Sequence, residues 1–198
     1  IYIVDVQSGT IARTMLENES VDYLYKDSNN FIWIITRSAN VYTTRPGSYI
    51  PQLLSIDTGR YQELSTIFCI QEDKTGSIWL GTMSGLYQIK KDINGNNEQA
   101  TVINHVLPES NIYALCLDQQ GNLWIGSYYG NVRYFNPEVD NYTYYSTDES
   151  HRDRLHGAVI GKIVEDDNQN LYIATEGSGI NIKPADSERF YHLKKEDG

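Results

Sequence analysis

The sequence predicts an all-β chain of repeated four-stranded antiparallel sheets: a β-propeller fragment of about four blades plus a half blade, not closed within one chain. Three observations predict it. An Asp-turn-aromatic unit returns at spacings of 46, 45 and 48 residues, at Asp27, Asp73, Asp118 and Asp166. No stretch of the 198 residues sustains the three-and-four apolar spacing of a helix. Aromatic residues make up 12% of the chain, 16 of them tyrosine, which favours strands.

The repeat justifies each element in turn. Three residues before each Asp stands an aliphatic (Leu24, Ile70, Leu115, Ile163), and six residues after it an aromatic (Trp33, Trp79, Trp124, Tyr172). Three residues further comes a hydroxyl: Thr36, Thr82, Ser127 and Thr175. This reads as a first strand, an Asp turn, a second strand, a short turn and a third strand. A fourth is written more loosely, as in ATVINHV, YTYYS and RFYHL. Four strands in about 45 residues is the size of one propeller blade. Ser8-Gly9, Thr75-Gly76, Asn94-Gly95 and Gln120-Gly121 sit where hairpins must reverse.

The expected units are a half blade at 1–19, made of a third and an outer strand, and blades at 20–64, 65–109, 110–156 and 157–198. The two strands missing at the front are not supplied at the back, so the sequence reads as a piece of a larger ring. The terminal blades of such an arc leave an apolar face wet, which predicts self-association or packing against the remaining blades of a longer protein.

Composition narrows the function. A formal charge of −10 repels a phosphate backbone and argues against a nucleic-acid partner. No 18-residue apolar run appears, so contact with a membrane is expected only through segments outside this sequence. The two cysteines, Cys69 and Cys116, make no disulfide framework and read as small buried hydrophobes in first strands.

The best copies of the template run E-D-x-x-G-x-I-W-x-G-T followed by G-L-Y, at Glu72 to Thr82 with Gly85 to Tyr87, and nearly so at Leu117 to Ser127 with Gly130. In these residues, and over essentially its whole length, the chain resembles the two-component regulator propeller repeat. Asn30 and Gln169 depart from it at the turn glycine, Ile35 at the glycine after Trp, and Tyr172 at the Trp itself. The resemblance implies a blade segment of a seven-bladed propeller in the periplasmic sensor portion of a hybrid histidine kinase of Bacteroidetes-like bacteria. It further implies a non-catalytic module sensing a glycan-derived oligosaccharide, with the signal passed to a β-sandwich, a membrane helix and a kinase beyond this sequence.

Candidate chemistry weighs lightly. The four repeated Asp residues suggest metal sites, but a short carboxylate at a strand turn more simply accepts backbone N–H bonds. The Trp series reads as inter-blade packing before ligand stacking. Asp92 to Glu98 faintly resembles a calcium loop, yet its glycine falls at the fourth position instead of the sixth, as in a hairpin. Glu165-Asp166-Asp167 reads as a turn with solvated charges. His105, His151, His156 and His192 occupy unrelated positions with no ligand spacing. No metal, cofactor or catalytic residue is expected. A ligand site would lie on the propeller face carrying the loops between second and third strands and the connections between blades. Those loops present Arg37, Met83, Tyr128, Tyr129 and Glu176, and the connections Asn111 and His156. The Tyr128-Tyr129 pair is a platform suited to a sugar face. The rival readings are a propeller enzyme, a lyase or hydrolase acting on carbohydrate, and a pure dimerisation scaffold.

Overall fold

The computed structural model describes residues 1–92, 98–129, 131–137, 139, 141–147, 154–157 and 159–197. Apart from one short 3-10 turn at Lys195–Asp197 the described chain is strands and loops, in the blade order that the repeat predicts. A two-stranded hairpin, β1 (Tyr2–Val4) and β2 (Ile11–Thr14), precedes four sheets. The first sheet is β3 (Val21–Lys26), β4 (Ile32–Thr36), β5 (Val41–Thr44) and β6 (Gln52–Leu53). Next in the chain, β7 (Ser55–Asp57) leaves the first sheet and joins the second, which contains β8 (Ile67–Glu72), β9 (Ile78–Thr82), β10 (Gly85–Lys91) and β11 (Gln99–Val106). The third is β12 (Ile112–Leu117), β13 (Leu123–Ser127), β14 (Val132–Asn136) and β15 (Asn141–Tyr145). The fourth is β16 (Ile160–Glu165), β17 (Leu171–Thr175), β18 (Gly179–Lys183) and β19 (Tyr191–Leu193). Each sheet is antiparallel in chain order except for β7, which runs parallel to β11 at the sheet edge. The sheets form four propeller blades whose innermost strands β3, β8, β12 and β16 follow one another in space without closing a ring.

The core lies between blades, as period-two alternation in strands covered on both faces requires. Trp33 faces the second blade among Ile67, Ile78 and Leu80; Trp79 faces the third among Ile112, Leu115 and Phe135; Trp124 faces the fourth among Ile160, Ile163 and Phe190. Tyr172 holds the same place in the last blade with no blade beyond it and is only half-buried. Cys69 is buried, its thiol pushed up to about 12, and Cys116 is half-buried and pushed up to about 11, burial being the main cause in both.

The Asp turn explains the six-residue spacing. Asp27 Oδ1 accepts the backbone N–H groups of Asn29 and Phe31, and its Oδ2 accepts the indole N–H of Trp33 at 2.8 Å. Asp73 does the same for Thr75, Ser77 and Trp79, and Asp118 for Asn122 and Trp124. In the last blade the phenol of Tyr172 donates to Asp166 Oδ2 at 3.2 Å in place of the indole. Asn30 and Gln169 take the left-handed conformation (φ 63° and 65°) that Gly76 and Gly121 take in the other turns.

The Glu before the Asp does more than carry solvated charge. Glu72 accepts the backbone N–H and the hydroxyl of Ser28 in the preceding blade's turn, both at 2.7 Å, and Glu165 accepts the backbone N–H of Gln119 at 2.8 Å. Of the Asp92 to Glu98 stretch, residues 93–97 lie outside the described residues, as does the Asn94-Gly95 turn.

Candidate functional site

Two local features build the face that carries the loops between second and third strands. First, the residue after each repeated hydroxyl donates its backbone N–H to the carbonyl of the residue just ahead of the first strand: Arg37 to Ser20, Met83 to Thr66, Tyr128 to Asn111 and Glu176 to Val159, at 2.8 to 3.1 Å. These four loop residues therefore hold equivalent places, and the connections between blades are pinned beside them. Second, every innermost strand slips register by one residue near its start, between Val21 and Tyr23, Ile67 and Cys69, Ile112 and Ala114, and Ile160 and Lys162. Such a β-bulge re-aims a side chain out of the alternation. The re-aimed residues are Asp22, Phe68, Tyr113 and Gly161.

Their contacts show where they point. Asp22 Oδ1 pairs with the Arg37 guanidinium at 3.2 Å. The Phe68 and Tyr113 rings stack across the gap between the second and third blades, with centroids 4.1 Å apart and planes at 15°. Tyr113 leans on Tyr128 at 5.6 Å, and Tyr128 meets Tyr129 edge to face at 5.3 Å. The result is a four-ring ridge ending in two exposed phenols, Tyr128 at 41% and Tyr129 at 73%. Gly161 continues the bulge series without a side chain. Met83 stands exposed apart from the ridge, and so does Glu176. The sequence reading missed Phe68 and Tyr113; the available signal was an aromatic directly after the first aliphatic of two first strands.

His156 belongs to a different cluster. Its ring stacks on His192, with centroids 3.6 Å apart and planes at 2°. Asn181, fully buried in β18, accepts the backbone N–H of His156 at 2.7 Å, donates to its carbonyl at 3.0 Å and accepts from His192 Nδ1 at 2.8 Å. Burial pushes both imidazoles below their ordinary pKa, helped by Lys194 and Arg154, and for His192 also by His156. The expectation that the histidines hold unrelated positions fails for His105 and His192. His105 lies opposite Tyr87 just as His192 lies opposite Asn181, because β10 with β11 and β18 with β19 pair in the same register. His151 lies outside the described residues. No group of three His, Cys, Asp or Glu side chains able to hold a metal ion occurs among the described residues, and no described helix is long and apolar enough to cross a membrane.

The family model for the two component regulator propeller matches residues 63–84 and 106–129, which span the Asp turns of the second and third blades. In those two stretches the chain is similar to the two component regulator propeller repeat. No curated protein matches the sequence. Among solved structures, the repeats are similar to the extracellular domain of a putative hybrid two component system from B. thetaiotaomicron at 23% identity and a TM-score of 0.72, over 96% of this chain and 24% of that one. The extracellular domain of a putative one component system from the same organism is similar at 18% identity and a TM-score of 0.73, over 94% and 25%. Virginiamycin B lyase from Staphylococcus aureus shares the fold at 15% identity and a TM-score of 0.68, over 98% of this chain and 63% of the enzyme. The chain thus spans about a quarter of the length of the first two.

Proposed function

We propose that this chain is a ligand-sensing segment of a propeller in a hybrid two-component receptor, that it is non-catalytic, and that it works outside the cytoplasm, in the periplasm. Its ligand in this reading is a glycan fragment held on the loop face. The observation that carries the reading is the ridge of Phe68, Tyr113, Tyr128 and Tyr129, assembled from two blades by β-bulges and left with two phenols in solvent. Aromatic faces with polar tips suit the mixed apolar and hydroxyl surface of a sugar. The repeat and the fold shared with receptor extracellular domains support the receptor context. Glycan-array screening followed by calorimetry tests it: saccharide binding that Tyr129→Ala and Tyr113→Ala both weaken by about tenfold is expected, since lost aromatic stacking costs on the order of 1 kcal/mol or more. A complete lack of saccharide response, with a metabolite or protein bound instead, sinks the ligand class.

A propeller enzyme is the second reading, favoured by the fold shared with a lyase and by the paired His156 and His192 rings on the same face. Turnover of oligouronides or lactones that His156→Ala abolishes would select it.

A further inference from the structure

Two interfaces between blades differ at one equivalent place. At the first, Lys91, the last residue of β10, reaches from the second blade over the aromatic rings of the first. Its ammonium stands 3.8 Å from the Phe31 ring centroid and 5.8 Å from that of Trp33. It donates to the Thr43 hydroxyl at 2.9 Å, and the Glu98 carboxylate, just ahead of the outer strand, neutralises it at 2.6 Å. The Lys91 side chain is only 5% exposed, so this place between blades holds a primary ammonium almost out of water. Strand register carries the same place to the interface between the third and fourth blades. Trp33 pairs with Thr43 as Trp124 pairs with Tyr134, and Ile78 pairs with Ile89 as Leu171 pairs with Lys183. Two residues past Ile89 is Lys91; two residues past Lys183 is Ala185. With alanine there, a cavity of about 220 Å³ opens between the two blades, lined among others by Trp124, Tyr134, Tyr145, Glu165, Ala185 and Glu188.

The walls of this cavity suit a cation. Tyr134 and Tyr145 pack on Trp124, with centroids 4.6 and 5.5 Å apart, and the faces of such rings attract an ammonium. Lys183 also borders the cavity, but its ammonium pairs with Glu188 at 3.6 Å and lies over no ring among the described residues. Two carboxylates remain. Asp118 accepts only from neutral donors, the backbone N–H and amide of Asn122 and the Trp124 indole, and Glu165 accepts the backbone N–H of Gln119. Neither meets a cation among the described residues. Burial raises the Glu165 pKa above its ordinary value, and the charges of Asp118 and Asp166 raise it further. Burial, Asp118 and Glu165 push the Tyr134 phenol up to about 12. Both shifts are those of a negative field without its cation.

We infer that this cavity is a binding site for a small molecule carrying an alkylammonium group, seated against Trp124 and Tyr145 as Lys91 is seated against Phe31 and Trp33, and neutralised by Glu165. The site lies at the end of the blades that carries the Asp turns, away from the loop face, and stands or falls independently of the aromatic ridge. Three probes of one length but different charge test it by NMR titration of the full chain: n-butylammonium, 1-butanol and butyrate. Saturable shifts of the Trp124 indole N–H with the ammonium alone are expected. Glu165→Gln, which keeps an acceptor for Gln119, weakens that binding by about tenfold, the worth of one charge-assisted hydrogen bond. Ala185→Lys supplies the ammonium from the chain itself and abolishes the binding, an effect that a merely structural role for this turn would not produce. Ala185 is exposed, so a thermal melt of that variant at or above the parent's confirms that folding is unaltered. The comparison of the three probes on the parent chain needs neither variant. Equal response to 1-butanol or butyrate, no response to n-butylammonium at about 50 mM (beyond the millimolar affinity expected of so small a ligand), or full affinity in Ala185→Lys overturns the inference.

Discussion

Asp73 shows at the scale of a single side chain why the repeat keeps its Asp and its Trp six residues apart. One carboxylate oxygen accepts two backbone N–H groups and the Thr75 hydroxyl, while the other accepts the Trp79 indole and the Gln88 amide. The Asp thus joins the turn to the large side chain that the next blade covers. Asp73→Ala leaves these donors without a partner in a buried place, and a destabilisation of about 3 kcal/mol is expected in urea unfolding, since each orphaned buried donor costs about 1–3 kcal/mol. Asp166→Ala also strips the partner from two backbone N–H groups and the Asn170 amide, but in the half-open last blade, where a half-buried tyrosine phenol replaces the buried indole, it should cost distinctly less. Equal losses at the two positions would refute this account of the motif. The Asp and Trp were separately legible as turn and packing residues; the bond between them was not, because spacing does not report which way an indole N–H points.

Among the strands, the glycine after Trp governs how closely neighbouring blades approach. A Cβ on Gly81 would stand 2.4 Å from Cys69 Sγ and 2.8 Å from Ile112 Cγ2, and one on Gly126 would stand 2.4 Å from Ile160 Cγ2. Ile35 fills the corresponding place in the first blade, and β3 accordingly touches β8 over fewer residues than β8 touches β12. A second device joins the first two blades further out. β6 is only two residues long; the chain then turns through buried Leu54, and β7 crosses to the neighbouring sheet, where Ser55 donates to the Glu98 carbonyl. The Glu98 carboxylate, 6% exposed, meets the Lys91 ammonium, the Thr43 hydroxyl and the Arg45 guanidinium. Burial alone would raise the Glu98 pKa, but the bonds from Lys91 and Thr43 outweigh it and hold the group below its ordinary value. A depressed folded-state pKa contributes stability that is present above the unfolded value, near 4.5, and is lost as pH falls through the folded one. The stability advantage of the parent over Glu98→Gln should therefore be full at pH 7 and shrink below about pH 4.5. An advantage that stays constant with pH would show that the ionised carboxylate is not what joins these blades.

For the molecule as a whole, the two end faces are built like the interfaces between blades but are not covered like them. Ile180 is 38% exposed where the equivalent Leu86 and Val132 are fully buried, and Leu24 is 58% exposed where Leu115 and Ile163 are buried. The hairpin of β1 and β2 shelters Ile34 but leaves beside Leu24 an apolar cavity of about 350 Å³, lined also by Ile1, Ile3 and Met15. We propose that these faces are met by further blades or by a second copy of the chain. Sedimentation at micromolar concentration should show association of the isolated chain, reduced by Ile180→Asp; a monodisperse monomer would contradict it.

The sequence by itself determined the blade: the count of strands, the Asp turns and the aromatic that each blade sets against the next. All of these rest on interactions within about ten residues or on strict alternation, and both leave a periodic trace. Only the tertiary structure decided the loop face. The Phe68 and Tyr113 rings are 45 residues apart in the chain and meet because a bulge, which no particular residue type encodes, turns each out of its strand. His156 and His192 likewise meet only because Asn181 holds a connection and an outer strand together. Contacts of this kind depend on how far one blade stands from the next, and that distance is fixed by side chains from both.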